Sequence, residues 1–303
     1  MKKLNINFEQ TTDTTGYLFS LTKCLSAVLK CSEWKDFADD IIASSGFAFR
    51  MWVAADLCPS AMSIWEFAKQ PEWVANGGFV CDYTERMWGQ DNIEEERREA
   101  AIRQIKSAID NGMAAVTWDI GDCEWGIITG YDEEKKILFT LKISGREDQI
   151  SYDKLGKLEI PILSVLTVCN KSDKDIKQIV ADTKQLAASH LRGEEWCENA
   201  KGLAAYDTLC SFISEKFTAD AAWQLEYYLG TYAALKWYAW LFFDKYEEKE
   251  CAEIYERIYK AWHAAFDIGK NGGATNVLSK QQIVELLTEA KELEEKFLWL
   301  QKK

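Results

Sequence analysis

The stretch GMAAVTWDIGDCEWGIITGYDEEKKILFT, residues 112–140, decides the fold. Its apolar runs at 113–118 and 125–129, and a third at 137–143, are rich in β-branched and aromatic residues and separated by Gly, Asp and Lys, which is how short strands read. The polar run 131–136 joins two of them as the turn of an antiparallel hairpin. Working outward, 162–169 reads as a fourth strand. Upstream lie helices at 18–30, 34–43 and 92–111, the last opened by acidic residues and closed by Gly112. Ile93, Ala100, Ile102, Ile105, Ala108 and Ile109 form its expected buried stripe. Helices followed by a meandering antiparallel sheet give an α+β order. From Ser172 onward strand signals vanish and five helices are expected, at 173–191, 201–217, 219–246, 248–267 and 280–301. The last opens with a Ser279 to Gln282 capping box. The expected organisation is an α+β domain over 1–170 and an all-α helical bundle over 171–303.

Composition narrows the function classes. The 303 residues are 48% hydrophobic with only 3 prolines, ample for a core and too little proline for a linker-rich chain. Acidic residues outnumber basic ones, 49 to 36, and the net charge of −13 repels phosphate backbones and anionic lipid, so neither nucleic acid nor membrane is expected as a partner. The 9 cysteines are scattered and never spaced Cys-x-x-Cys; reduced thiols are expected, with no zinc or dithiol site. The opening MKKLNINFEQTTDTTGYLF holds no apolar run of secretory-signal length, and the most apolar stretch, 229–243, is short and interrupted by Lys236. A cytoplasmic location is therefore expected. No phosphate-cradling loop or nucleotide fingerprint is written, and the glycines at 269–273 read as an interhelical turn, so no cofactor is expected.

Chemistry has few places to sit. Cys24 lies early in the helix at 18–30 beside Lys23, where a helix N-terminus and a cation favour thiolate; the alternative is a small core thiol. Glu124 between acidic and tryptophan neighbours reads as a solvated strand-end residue. Asp119, Asp122, Glu124 and Asp132 read as an acidic surface, their spacing matching no calcium loop. Only two histidines occur, His190 and His263, both in the helical region. His190 reads as a charged cap at a helix C-terminus and His263 as a satisfied helix residue, and two imidazoles make a His-rich metal site improbable. Aromatic residues crowd 223–243 on more than one face, the pattern of a helix central to a bundle, with a cleft or subunit interface as the sharper alternative.

The run 112–140 resembles the strand pair of papain-fold proteins of the bacteriocin-leader-peptidase type, and is closer to the related family named after butirosin biosynthesis protein H. Ser45-Gly-Phe-Ala-Phe-Arg50 is similar to that family's Ser-Gly-x-Ala-Phe-Arg, and Gly202-Leu-Ala-Ala-Tyr206 to its Gly-x-x-Ala-Tyr. The resemblance implies a papain-like first domain with a nucleophile at a helix start, a histidine heading the Gly-Tyr-Asp strand and an orienting residue on the next strand. Here the nucleophile position falls on Ser20, or on Cys24 after a shift of one turn. The histidine position falls on Glu124, and the orienter near Leu141 or Lys142. With the imidazole gone, the expected function is non-catalytic binding of a small molecule or peptide, with Trp118, Trp125, Tyr131 and Arg50 lining the site. The family's chemistry implies the alternative, an acyltransferase or amide hydrolase using Ser20 or Cys24 with Glu124, fed by an acyl carrier protein. A homo-oligomer through the aromatic helix is a third expectation.

Overall fold

The computed structural model describes residues 1–6, 13–63 and 65–301. In chain order its main elements are β1 (Lys2–Lys3), α1 (Ser20–Lys30), α2 (Asp40–Ser44), β2 (Trp52–Val53), α3 (Gln70–Asn76), β3 (Phe79–Arg86), α4 (Glu94–Asp110), β4 (Ala115–Trp118), β5 (Trp125–Asp132), β6 (Ile137–Leu141), β7 (Glu147–Ser151), β8 (Leu163–Lys171), α5 (Ile176–Leu191), β9 (Ala200–Lys201), α6 (Leu203–Ser211), α7 (Ala222–Lys245), α8 (Lys249–Gly269) and α9 (Val277–Leu300). They fall into two compact units, one of Met1–Thr14, Phe19–Ile41 and Phe67–Asp175, the other of Thr15–Leu18, Ile42–Glu66 and Ile176–Lys303. The expected boundary near 170 lies close to the last crossing, but Ile42–Glu66, read as part of the first region, packs within the second unit.

The first unit is built on an antiparallel sheet in the order β3-β8-β4-β5-β6-β7, and β1 adds to β5 where β4 has ended. Two of these strands, β3 and β7, escape a sequence reading because β3 carries Asp, Thr, Glu and Arg and β7 is largely exposed, so neither presents a clean apolar alternation. Strand alternation sends Ala115, Ile128, Leu138 and Val165 to one face, where they pack with Ala101, Ile105 and Ile109 of α4. The α4 stripe thus uses Ala101 in place of the expected Ala100, leaves Ile102 at the rim of the core, and places Ile93 in a 3₁₀ turn ahead of the helix. Gly112, at φ +83°, ends α4 as foreseen: its N–H reaches Ile109 O at 3.1 Å and Met113 N–H reaches Ala108 O at 2.9 Å, a paired closure that needs a left-handed residue. Helix α1 packs against β4 and β5, with Leu21, Cys24, Leu25 and Val28 buried.

The second unit packs α7, α8 and α9 in sequence, with α6 and α5 against α9. Short links at 246–248 and 270–276 make successive helices antiparallel neighbours. Helix α7 buries Tyr228, Tyr232, Tyr238, Phe242 and Phe243, while Trp237 and Trp240 lie against Tyr259 of α8 at ring separations of 4.9 and 5.9 Å. Most of the aromatic surface that suggested an interface is therefore consumed inside the unit; Trp223 stays exposed. Helix α9 starts earlier than expected: Asn276, and not Ser279, is the cap, its side chain accepting from Ser279 N–H at 2.8 Å. The exposed Val277 and Leu278 hide that start from an amphipathic reading. Strand signals do not end at 172 either, since β2 pairs with β9 through Trp52↔Lys201 and Val53↔Ala200, a two-residue ribbon too short to show a period.

Candidate functional site

Ser20 opens α1, and Glu124 immediately precedes β5. The first unit brings them into direct contact: Ser20 Oγ donates to Glu124 Oε2 at 2.5 Å. Ser20 is buried. Phe19 stands at the N-cap and offers no side-chain acceptor to the first-turn N–H groups. Burial holds the Glu124 carboxyl above its ordinary value; Asp122 adds to the rise, while the Ser20 hydroxyl and the Trp125 backbone oppose it. A hydroxyl and a partly desolvated carboxyl at the positive end of a helix form a compact donor–acceptor pair.

Cys24 is not part of it. Its side chain is fully buried, and burial pushes the thiol far above the usual cysteine range, against the opposing charge of Lys23 and with Glu124 and Asp122 adding to the effect. Of the two readings, the core thiol fits this environment. Lys23, the cation expected to activate it, is occupied in donating to Ile143 O at 3.1 Å. Iodoacetamide at neutral pH is expected to modify the exposed Cys58 and Cys169 about tenfold or more faster than Cys24, read by peptide mass spectrometry; rapid labelling of Cys24 in native protein overturns this assignment.

The loop that delivers Glu124 is tightly held. Asp119 N–H donates to Glu124 O at 3.0 Å. The Asp119 carboxylate, itself buried, accepts from Gly121 N at 3.0 Å, Cys123 N at 3.3 Å and Ile160 N at 3.2 Å. Lys142 Nζ donates to Gly121 O at 3.0 Å. Asp119, Gly121 and Cys123 all have positive φ, at 43°, 112° and 54°. Asp119 is thus no solvated rim residue, and neither is Asp132, whose buried carboxylate caps the 133–136 turn through Glu134 N and Lys135 N at 3.0 and 3.1 Å. Among the described residues no cluster of three or more His, Cys, Asp or Glu is disposed to hold a metal ion.

The expected lining residues disperse. Trp125 and Trp118 are cross-strand partners next to Glu124, but both are buried and pack with Phe67 at ring separations of 5.3 and 6.1 Å. They support the site from the core. Tyr131 lies six residues along β5 from Trp125, about 20 Å away for a strand, and its hydroxyl donates to Asp110 at 2.9 Å. Arg50 belongs to the second unit. There it is buried, its Nε donating to Glu195 Oε2 at 3.1 Å and its guanidinium 4.4 Å above the Phe47 ring. The same carboxylate lies 3.0 Å from His190 Nδ1. His190 is accordingly no charged helix cap: burial, with the Arg50 charge adding, pulls its pKa down to about 4.

The Ser45–Arg50 motif turns on Gly46, at φ +81°, where a Cβ would stand 2.6 Å from His190 Nε2. Gly202 of the second motif donates to Met51 O at 3.0 Å, and Tyr206 accepts from Trp262 Nε1 at 3.0 Å. Both motifs are thus assembled within the helical unit. His263 is half-exposed on α8, 3.2 Å from Asp267.

Sequence reasoning overlooked Asp119 and Lys142 as holders of the loop. Asp119-Ile-Gly121 does carry the signature of an aspartate-capped turn, whereas Lys142, named only as a possible orienter position, reaches Gly121 across 21 residues of chain. No known family profile matches the chain, and no curated protein matches it.

Proposed function

We propose that the first unit is a papain-like domain whose nucleophile and base positions hold Ser20 and Glu124, and that it binds a small molecule or peptide without turning it over. The observation that carries this reading is the Ser20 to Glu124 hydrogen bond at 2.5 Å in a unit that contains neither histidine. An amide suits the pair. Its carbonyl would meet the positive N-terminal end of α1 and its N–H the Glu124 carboxyl, each contact following the sign of the local field. Denaturing purified protein and analysing the released small molecules by mass spectrometry is expected to yield a ligand that Ser20→Ala and Glu124→Gln no longer retain. Steady hydrolysis of an amide or thioester by the wild type overturns it.

The direction of the same contact, a hydroxyl donating to a carboxyl, supports one second reading, acyl transfer through Ser20. Ser20 Oγ attacks the carbonyl of a carrier-protein thioester or an amide, its proton passes to Glu124, the C–S or C–N bond breaks, and the departing thiol or amine takes that proton. Water or an amine then releases the acyl group. An acyl mass increment on the peptide containing Ser20, absent in Glu124→Gln, supports this path over simple binding.

A further inference from the structure

We infer that Asp119 and Lys142 are positioning residues that orient Glu124 toward Ser20 through the backbone, in place of a side-chain orienter on the neighbouring strand. The inference rests on the Ser20–Glu124 site described above and concerns its assembly, not its ligand. Lys142, one of the two residues near which the resemblance places an orienter, points its Nζ to Gly121 O at 3.0 Å, with its charge 3.5 Å from Asp148. It thereby grips the middle of the loop. Asp119 grips both ends, its N–H closing on Glu124 O at 3.0 Å and its carboxylate gathering the N–H groups of Gly121, Cys123 and Ile160. Two non-glycine residues, Asp119 and Cys123, are held at positive φ within five positions, a costly conformation that persists only when its surroundings impose it. A Cβ on Gly121 would stand 3.0 Å from Lys142 Nζ, and one on Gly126, just past the loop, 2.1 Å from Ile120 Cδ1. Loop and strand start are therefore fitted on both sides of Glu124. Around the carboxyl itself stand Ser20, Asp122 and the Trp125 backbone. Further out, Asp119, Lys142, Arg146 and Asp148 act on Asp122, and Lys23 acts on the Cys24 thiol, which also feels Glu124.

The test is the titration of Glu124, followed by ¹³C NMR of the side-chain carboxyl in the full chain, for Asp119→Asn, Lys142→Met and Gly121→Ala. A clamp that holds Glu124 in its desolvated place predicts that all three variants lower its pKa by about half a unit or more toward the ordinary value. Electrostatics alone predicts opposite signs, a fall on removing the Asp119 charge and a rise on removing the Lys142 charge. A merely stabilising role predicts lower melting temperatures with no change in the titration. Either of these results overturns the inference. Gly121→Ala, which changes no charge, and Lys142→Arg, expected to restore the titration, keep the test decisive if another variant does not fold. Should Glu124 shift as expected while Ser20→Ala still retains ligand, the clamp stands and the binding reading falls.

Discussion

Replacing Lys236 with methionine is expected to destabilise the helical unit by about 3–5 kcal/mol. Lys236 lies in the middle of α7, and its Nζ is 2.6 Å from Glu294 Oε1 of α9, with both side chains 0% exposed. The ammonium also donates to Ala48 O at 3.2 Å. Burial holds the Glu294 carboxyl above its ordinary value against the pull of Lys236. Without the lysine, the carboxyl keeps the Tyr206 hydroxyl as a partner but either retains a buried charge with no counter-ion or takes up a proton, and both cost free energy. The pair itself need contribute little, because desolvating two charges offsets most of their attraction. Lys236→Met/Glu294→Leu is therefore expected to recover most of the single-variant loss, or to exceed the wild type. Urea denaturation at pH 7 of the wild type, both single variants and the double variant closes the cycle. A double variant as unstable as the sum of the singles shows that the two groups are not coupled.

Acid is expected to weaken the same unit through His190, by up to about 3 kcal/mol between pH 6.5 and 4. In the unfolded chain the imidazole takes its proton near 6.5, whereas burial beside Arg50 delays protonation in the folded protein to about 4. Between those values the unfolded state binds the extra proton. Stability is thus fully present above pH 6.5 and is lost as the pH falls toward 4. Glu195 acts in the same direction at lower pH: Arg50 and His190 overcome its desolvation and hold it below its ordinary value, so protonating it also favours unfolding. Denaturant unfolding at pH 7, 6, 5 and 4.5 should show the slope in the wild type and its loss in His190→Gln. Retention of the full slope in that variant would assign the acid sensitivity to other groups.

How much of this was legible beforehand depended on range. The strands expected at 113–118, 125–129, 137–143 and 162–169 exist at 115–118, 125–132, 137–141 and 163–171, and the long C-terminal helices exist too, because local period and turn chemistry are written in the sequence. The hairpin turn is shorter than the expected 131–136, since Tyr131 and Asp132 belong to β5. Helix α7 was legible as a buried helix: its aromatic residues on several faces admit no solvated side. Ser20 and Glu124 could be proposed only through the family resemblance, one by aligning α1 with the nucleophile helix and the other by counting back from Gly130 to the histidine position. Their contact, across 104 residues of chain, is a matter of how α1 lies on β5, which no local pattern encodes.

Other decisions belonged to tertiary structure alone. Arg50 and Glu195 meet across 145 residues, so an arginine read as part of a binding surface becomes the centre of a buried polar cluster. Cys24 and Ser20 lie one helical turn apart, yet one is a core thiol and the other holds the Glu124 carboxyl. The difference is set by what packs over each, since burial changes the free energy of charging a group by amounts that sequence position does not carry. Composition and periodicity determined which segments are helices and strands and which sides of them are apolar. Packing decided which polar groups are buried together, and with that, where the candidate chemistry lies.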